Sequence, residues 1–257
     1  MLRYFGTDGV LPAKRVVALG FFDGIHLGHR RLIRGVLEQS RSTGAISSLL
    51  TFDPHPEAAL YGGTGPKLLT TLEEKAHIVG SLGIQELIII PFTKEFAGQT
   101  PAEFVKAVLA EALSAISVWV GYNFTFGFRG MGDPSTLCLL GEQHGFSVSV
   151  IPPVRVDDQV VSSTHIRCLV ERGDLDAALR FIGQPYSVLL ESEKGVWPAE
   201  KASPPPGKYI LSSGQGECTL FLRSEGERTL YEVSDSVKPG QLYFLPGANS
   251  QVGKAVG

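Results

Sequence analysis

Cysteine is scarce in this chain, with 3 in 257 residues. Cys138, Cys168 and Cys218 are odd in number and far apart, and no Cys-x-x-Cys pair occurs. This spacing excludes a disulfide framework and a cysteine zinc site, because both need cysteines in pairs. The sequence therefore predicts free thiols, which are typical of a reducing compartment.

The chain also lacks an excess of positive charge and any long hydrophobic run. Its 23 Lys and Arg against 26 Asp and Glu give a net charge of −3 and a pI near 6.1. The sequence therefore lacks the excess of positive charge that is typical of nucleic-acid-binding proteins. No apolar run approaches the ~20 residues of a membrane helix, and Met1–Arg15 has no signal-peptide core. We expect a cytoplasmic protein that binds neither nucleic acid nor membrane.

Hydrophobic residues, by contrast, make up 43% of the sequence, which is enough for a substantial core. Up to about residue 183, buried-strand runs alternate with helical patterns. This alternation predicts an α/β fold with a Rossmann-like, doubly wound parallel sheet. The predicted strands are Val16–Gly20, Ile46–Phe52, Glu86–Phe92, Ser117–Gly121 and Phe146–Ile151, and the predicted helices are Gly28–Ser42, Leu72–Leu82, Pro101–Ala115, Pro134–His144, Ser163–Arg172 and Asp174–Ile182.

The pattern changes in the last third of the chain. A proline-rich break between Trp197 and Gly207 is followed by short β-like runs with turn residues between them. Such spacing favours a small antiparallel sheet or partial barrel. The sequence therefore predicts two domains, residues 1–184 and residues 185–257. The predicted β runs of the second domain are Tyr186–Ser192, Tyr209–Ser212, Glu217–Arg223, Arg228–Ser234 and Gln241–Leu245.

The strongest chemical signal is Gly20–His29, between the first predicted strand and the first predicted helix. It is a Gly-rich turn that ends in His26-Leu27-Gly28-His29. Free backbone N–H groups at a helix start attract phosphate, and two imidazoles can add donors. The motif predicts a nucleotide site at the carboxyl end of a parallel strand. A metal pair and a packing role are the alternatives, although no Glu or Cys stands nearby at zinc-ligand spacing.

A second candidate stretch, Thr51–Pro56, ends the second predicted strand. Its two prolines stop the strand, and Asp53 and His55 are then expected at the same rim as His26 and His29. The alternative interpretation is an ordinary strand-ending turn, in which Asp and Pro are common.

A third stretch, Gly121–Asp133, packs four aromatic residues and four glycines into thirteen positions. Flat aromatic faces and close backbone approach suit a planar ring ligand. The alternative is an aromatic mini-core beneath the loop. Under either interpretation, Asn123 is a candidate for hydrogen bonding in or near the pocket.

A fourth stretch, Ser162–Arg167, places three hydroxyls before a helix. Alone, this pattern is typical of a structural N-cap. The same hydroxyls, the free N–H groups and Arg167 can also hold phosphate oxygens. Its occurrence in one predicted domain with Gly20–His29 favours the phosphate role.

In this order the four stretches resemble the prokaryotic FAD synthetase family, whose first domain is an FMN adenylyltransferase of the HIGH nucleotidyltransferase superfamily. The similarity covers about residues 14 to 187 and includes Gly183-Gln184-Pro185-Tyr186. His-x-Gly-His alone is common to the whole superfamily. The added Phe-Asp-Pro-His-Pro and Ser-Ser-Thr-x-Ile-Arg narrow the resemblance to the flavin branch.

The resemblance implies that ATP transfers AMP to FMN by direct in-line attack, giving FAD and pyrophosphate. It implies Mg²⁺ that enters with ATP and is held mainly by ATP and water, without a metal site of the protein. Asp23 is expected to touch the ribose or orient the loop. The resemblance assigns catalysis to His26, His29, Ser163 and Arg167, ATP binding to Gly20, Phe22, Asp23, Gly28, Ser162 and Thr164, and FMN binding to Phe52, Asp53, His55, Pro56, Asn123 and Phe126.

The chain departs from the family pattern in two places. Phe21 stands where members often have Asn, and the Pro-Thr-Ala-Asn motif of the usual riboflavin kinase domain is absent. We therefore expect a shortened or degenerate kinase-like region after residue 184, without kinase activity. Three alternatives stay open: a catalytically impaired flavin- or nucleotide-binding protein, a bifunctional enzyme that retains kinase activity, and a related transferase for another phosphate acceptor.

Overall fold

The computed structural model describes residues 1–62, 65–213, 216–234 and 240–247. The chain divides into two compact units. The second unit takes the chain from Arg155 onward together with two short upstream segments, Asp23–Leu27 and Lys67–Lys75. The first unit comprises Met1–Phe22, Gly28–Pro66 and Ala76–Val154. The domain boundary that we expect near residue 184 stays a prediction.

The first unit is built on a six-stranded parallel sheet with strand order β1-β4-β3-β2-β5-β6. All five residues of β2 are buried, as expected for a central strand. Strand order reverses at β2, which lies between β3 and β5, and ligands of such sheets bind at the carboxyl end of this switch point. The strands are β1 (Leu2–Phe5), β2 (Arg15–Leu19), β3 (Ile46–Asp53), β4 (Glu86–Pro91), β5 (Ala115–Gly121) and β6 (Ser147–Ile151).

Helices connect these strands, and their ends follow the local sequence. Thr100 and Glu103 form a reciprocal capping box with Pro101 in the first turn, and Asp133 caps the helix that starts at Pro134. The predicted helix from Pro101 is an α-helical turn followed by a π-helix over Val105–Ala112. The α-helices are α1 (Leu27–Thr43), α2 (Pro56–Leu60), α3 (Leu72–Ser81), α4 (Lys94–Ala97), α5 (Pro101–Phe104) and α6 (Pro134–His144).

A buried ion pair ties β2 to β4 at their amino ends. Arg15 is fully buried, and its Nε and Nη2 donate to the two carboxylate oxygens of Glu86 at 2.7 and 3.2 Å. The Ser48 hydroxyl donates to the same carboxylate at 2.8 Å, and the guanidinium also donates to three backbone carbonyls. Burial of both charges is tolerated because their hydrogen bonds are satisfied.

The second unit contains an antiparallel six-stranded sheet, a small hairpin and two helices. Burial alternates along β12, with Cys218, Leu220 and Leu222 facing inward. The sheet order is β10-β13-β12-β11-β14-β9. The elements are β7 (Arg155–Val156), β8 (Gln159–Val160), α7 (Ser163–Glu171), α8 (Leu175–Ile182), β9 (Ser187–Leu190), β10 (Lys194–Val196), β11 (Gly207–Ser213), β12 (Gly216–Glu225), β13 (Arg228–Ser234) and β14 (Gly240–Phe244).

The predicted fold class is confirmed: an α/β parallel sheet and a separate antiparallel sheet in the C-terminal part of the chain. The strands β1, β7, β8 and β10 and the short helices α2 and α4 are not among the predicted elements. β1 and β10 are short edge strands with exposed positions, so they carry little hydrophobic pattern. Within the described residues, no helix combines the length and apolar character needed to span a bilayer.

Candidate functional site

The turn after β2 is held tightly inside the first unit. The Phe21 carbonyl accepts a hydrogen bond from the Thr51 hydroxyl at 2.9 Å. Phe22 is buried with a φ of 58°, and its ring packs against the His29 ring with centroids 5.1 Å apart. A β-carbon on Gly20 would lie 3.3 Å from the Phe22 ring. Gly20, Phe22 and His29 therefore form one packed group at the switch point of the sheet.

Asp23 begins the segment Asp23–Leu27 of the second unit, which we call the Asp23 loop. Its side chain is buried, and Oδ1 accepts hydrogen bonds from the backbone N–H groups of Leu69 at 2.7 Å and Thr70 at 3.2 Å. Oδ2 accepts from Nη2 of Arg167 at 3.2 Å, and the Ser163 hydroxyl donates to the Asp23 carbonyl at 3.0 Å. Both carboxylate oxygens are thus engaged within the protein. This geometry favours the orienting role among the two that we expected for Asp23.

Steric contacts and a further hydrogen bond fix the middle of the Asp23 loop. The Gly24 N–H donates to the Thr70 hydroxyl at 3.1 Å. Gly24 has a φ of 78°, and a β-carbon there would lie 2.7 Å from the Leu69 side chain. Only glycine combines this backbone conformation with the available space. Ile25 also has a positive φ, of 41°, a strained conformation of the kind that concentrates at functional sites.

His26 is buried at the end of this loop, with 7% of its surface exposed. Burial lowers the pKa of its imidazole to about 4, because the charged form loses its hydration. The ring is therefore neutral near pH 7 and carries one N–H donor. His29, on the first turn of α1, is partly exposed.

The amino end of α7 supplies the remaining candidates for phosphate binding. The Ser162 hydroxyl accepts from the His165 N–H at 3.2 Å, so it is an N-cap as the sequence predicts. Thr164 is exposed. The Nε of Arg167 is buried and has no hydrogen-bond partner in the described part of the chain. The guanidinium therefore has donor capacity that the Asp23 pair does not use.

The first unit also contains a cavity of about 860 Å³, which we call the aromatic cavity. Its volume is in the range of small-molecule sites. Neighbouring phenylalanine rings follow one another along it with centroids 5.5 to 5.9 Å apart. Its aromatic lining is Phe52, Tyr61, Phe92, Phe96, Phe104, Phe126 and Phe128.

The structure is compatible with both interpretations of the aromatic stretch, a site for a planar ring ligand and an aromatic mini-core. Within the stretch Gly121–Asp133, Phe126 is buried in the hydrophobic core, and the same side chain lines the aromatic cavity. Sequence reasoning missed Phe92 and Phe96, which lie just after β4 at a spacing of four residues. That spacing at the carboxyl end of a parallel strand was the signal that could have identified them.

The predicted FMN residues divide into two groups. Phe52, Pro56 and Phe126 line the aromatic cavity. Asp53 is exposed, and the His55 Nδ1 accepts from the Glu57 N–H at 3.2 Å, capping α2. Asn123 is exposed and lines a second, shallower cavity of about 450 Å³. The structure therefore does not bring Asp53, His55 and Asn123 to the lining of the aromatic cavity.

Comparison with known proteins places these features in context. A protein-family model described as FAD synthetase matches residues 10–165. The chain is 34% identical over 182 residues to the bifunctional riboflavin kinase/FMN adenylyltransferase of Listeria monocytogenes, which covers 70% of this chain and 57% of that protein. It is 32% identical over 179 residues to the Bacillus subtilis protein of the same name, covering 68% and 55%. The aligned part thus spans little more than half the length of these relatives.

Among solved structures, the crystal structure of a macrolide-efflux protein from Streptococcus pneumoniae matches with a TM-score of 0.79. The match covers 96% of this chain and 90% of that chain at 21% identity. At this identity the likeness shows a shared fold alone.

Proposed function

The chain belongs to the FAD synthetase family, and from this premise we propose that it is an FMN adenylyltransferase. The reaction transfers the AMP group of ATP to FMN and gives FAD and pyrophosphate. The observation that carries the proposal is the network around Asp23, which ties the loop before His26 to Ser163 and Arg167 at the start of α7. The Asp23 loop, which contains His26, and the start of α7 are far apart in sequence, yet this network joins them.

In the proposed reaction an oxygen of the FMN phosphate attacks the α-phosphorus of ATP. A new P–O bond forms on one side, the bond to the bridging oxygen breaks on the other, and pyrophosphate leaves with the electron pair. The protein has two tasks, to align attacker and leaving group and to neutralise the charge on the phosphates. No covalent intermediate with the protein is required.

A neutral imidazole is suited to donate a hydrogen bond to the ATP phosphates. With a pKa of about 4, the His26 ring is neutral at neutral pH, and it is proposed to donate a hydrogen bond to a phosphate oxygen of ATP. His29 is proposed to donate in the same way at the start of α1, where the free N–H groups of the first turn also favour anions. Arg167 carries a fixed positive charge, which we assign to the departing pyrophosphate. Ser162, Ser163 and Thr164 are proposed to line the same phosphates with the N–H groups of the α7 start.

Magnesium is proposed to enter with ATP. Both oxygens of the Asp23 carboxylate already accept hydrogen bonds from the protein, so the donor set fits an ion that keeps phosphate and water ligands. When bound, the ion neutralises charge on the ATP phosphates. Asp23 instead holds Arg167 in place through the 3.2 Å ion pair.

The aromatic cavity is proposed to hold the flavin ring of FMN. Its volume and its phenylalanine lining suit a large planar ring, which gains from stacked and edge-to-face contacts. Phe52, Pro56 and Phe126 remain the proposed FMN contacts, and Phe92 and Phe96 join them. FMN binding by Asp53, His55 and Asn123 stays a prediction, because these residues do not line the aromatic cavity.

The test is FAD formation by the purified chain from ATP, FMN and magnesium, followed together with pyrophosphate release. Wild type is expected to form FAD, and His29→Ala to lower kcat by ~10²–10³, the usual loss for one transition-state donor. His144→Ala, at an exposed position at the end of α6, is the matched control and should match wild type. No FAD from wild type, or a loss under about threefold for His29→Ala, contradicts the proposal.

Riboflavin kinase activity, which the names of the two bacterial relatives include, is not part of the proposal. The Pro-Thr-Ala-Asn motif expected for it is absent from the sequence. Riboflavin offered with ATP should therefore give no FMN, and any FMN formed would overturn this part of the interpretation.

A further inference from the structure

Within the second unit, the segment Lys67–Lys75 runs beside residues 199–202. The Leu68 N–H donates to the Glu200 carbonyl at 2.5 Å, and the Ala202 N–H donates to the Leu68 carbonyl at 2.7 Å. The short segment that holds Asp23 is thus itself held by residues more than 130 positions later in the chain.

A buried ion pair lies at the centre of this contact. The side chains of Lys201 and Glu74 are each 0% exposed, and the Lys201 ammonium donates to Oε2 of Glu74 at 2.6 Å. The Glu74 carboxylate also accepts from the N–H groups of Leu189 at 2.7 Å and Thr71 at 2.9 Å. The Lys201 ammonium lies 4.7 Å from the centre of the Tyr186 ring. Burial of this pair costs free energy, which is offset only when the geometry is good and the hydrogen bonds of both charged groups are made.

The second partner of Lys201 links it to the candidate site. Its ammonium donates to the Leu69 carbonyl at 2.7 Å. The N–H of the same peptide group, that of Thr70, donates to Oδ1 of Asp23 at 3.2 Å. One peptide group is therefore held between an ammonium on its oxygen and a carboxylate on its N–H. Charges in this order polarise the peptide and strengthen both hydrogen bonds.

We propose that Lys201 is a positioning residue for the Asp23 loop, acting through the Leu69–Thr70 peptide on Asp23 and, through Asp23, on Arg167. Lys201 touches none of the proposed reacting groups, so it is not a catalytic residue. The inference rests on the proposed function for its kinetic consequence. It also gives the C-terminal part of the chain a role: this part supplies the Lys201 ammonium, which orders the Asp23 loop proposed to bind ATP.

The test compares Lys201→Met with wild type in the full chain. Lys201→Met should raise the KM for ATP by about 10-fold, because positioning residues of this kind typically change coupling by a factor of that order. The KM for FMN should stay within about twofold, since the aromatic cavity lies in the other unit. Tyr209→Phe is the control, because it removes a partly buried hydrogen bond to the Pro205 carbonyl in the same unit and lies outside residues 67–75.

A second readout needs no activity. Hydrogen exchange of the Leu69 and Thr70 amides, measured against the Leu220 amide of β12, should accelerate in Lys201→Met by about 10-fold or more. Should Lys201→Met fail to fold, Glu74→Gln takes its place, with the same readouts and a smaller change expected. An equal rise in the KM values for ATP and FMN, or unchanged hydrogen exchange at the Leu69 and Thr70 amides, overturns the inference. If wild type forms no FAD, the proposed function fails, and amide exchange still decides the role of Lys201.

Discussion

The Asp23 loop of the second unit and the aromatic cavity of the first unit are built by opposite kinds of interaction. The loop is a buried polar network, in which the Asp23 carboxylate accepts three hydrogen bonds at fixed positions. The cavity is lined on its apolar side by packed phenylalanine rings. Hydrogen-bonded networks fail when one member is removed, whereas apolar packing adjusts to a substitution of similar size. The Asp23 loop, proposed for the nucleotide, should therefore be far more sensitive to conservative substitution than the aromatic cavity, proposed for the flavin.

The strongest test of this contrast is Asp23→Asn. The amide has nearly the shape of the carboxylate, but it loses the ion pair with Arg167. Its NH2 group must also face a donor, either the Arg167 guanidinium or the N–H groups of Leu69 and Thr70. We expect kcat/KM for ATP to fall by about 10²-fold, the effect of misplacing a group by about 1 Å. Flavin affinity, measured by fluorescence quenching, should stay within about twofold.

The matched control for this prediction is Asp133→Asn. Asp133 is exposed and caps α6 in the first unit, where Asn is an equally good N-cap. Its kinetics should match those of wild type. A fall of less than about threefold in kcat/KM for ATP in Asp23→Asn would contradict the expected difference between the Asp23 loop and the aromatic cavity.

A smaller effect is expected from acidification. The pKa of His26 falls from its ordinary value of 6.5 to about 4 on folding, so the unfolded chain binds more protons between these values. Stability is therefore lost as the pH falls below about 6.5, and the loss is complete below about pH 4. Between pH 7 and 5 the free energy of unfolding should decrease by about 2 kcal/mol from this residue.

Urea denaturation at the two pH values measures this loss. His26→Asn has no imidazole to titrate, so its loss should be smaller than that of wild type by about the same 2 kcal/mol. His144→Asn, at an exposed position, should keep the wild-type dependence. An identical pH dependence for His26→Asn and wild type would show that burial does not depress this pKa.

The smallest effect is expected on the flavin side. Phe96→Leu keeps an apolar side chain at the partly exposed wall of the aromatic cavity but removes the ring. We expect the Kd for FMN to rise by about 3- to 10-fold, in line with ~0.5–1.5 kcal/mol for an aromatic contact. The KM for ATP should not change. Phe146→Leu, a core position outside the cavity lining, is the control and should leave the Kd for FMN unchanged.

Local sequence was sufficient for most elements of the fold. Apolar runs located β2 to β6, and the hydroxyl residues of an N-cap located the start of α7, because these signals act within a few residues. The edge strands β1 and β10 and the π-helix over Val105–Ala112 were missed. Edge strands are stabilised by a neighbour on one side, and helix pitch depends on packing, so neither leaves a clear local pattern.

The sequence by itself determined the α/β class, the antiparallel C-terminal sheet and the four stretches that identify the family, since periodicity and motifs are local properties of the chain. The tertiary structure decided which side chains complete the site. Asp23 meets partners 46 and 144 positions away, and Lys201 meets Glu74 across 127 positions. Such partners are chosen by the closure of the whole fold around buried charges, which must be satisfied wherever the chain supplies a group.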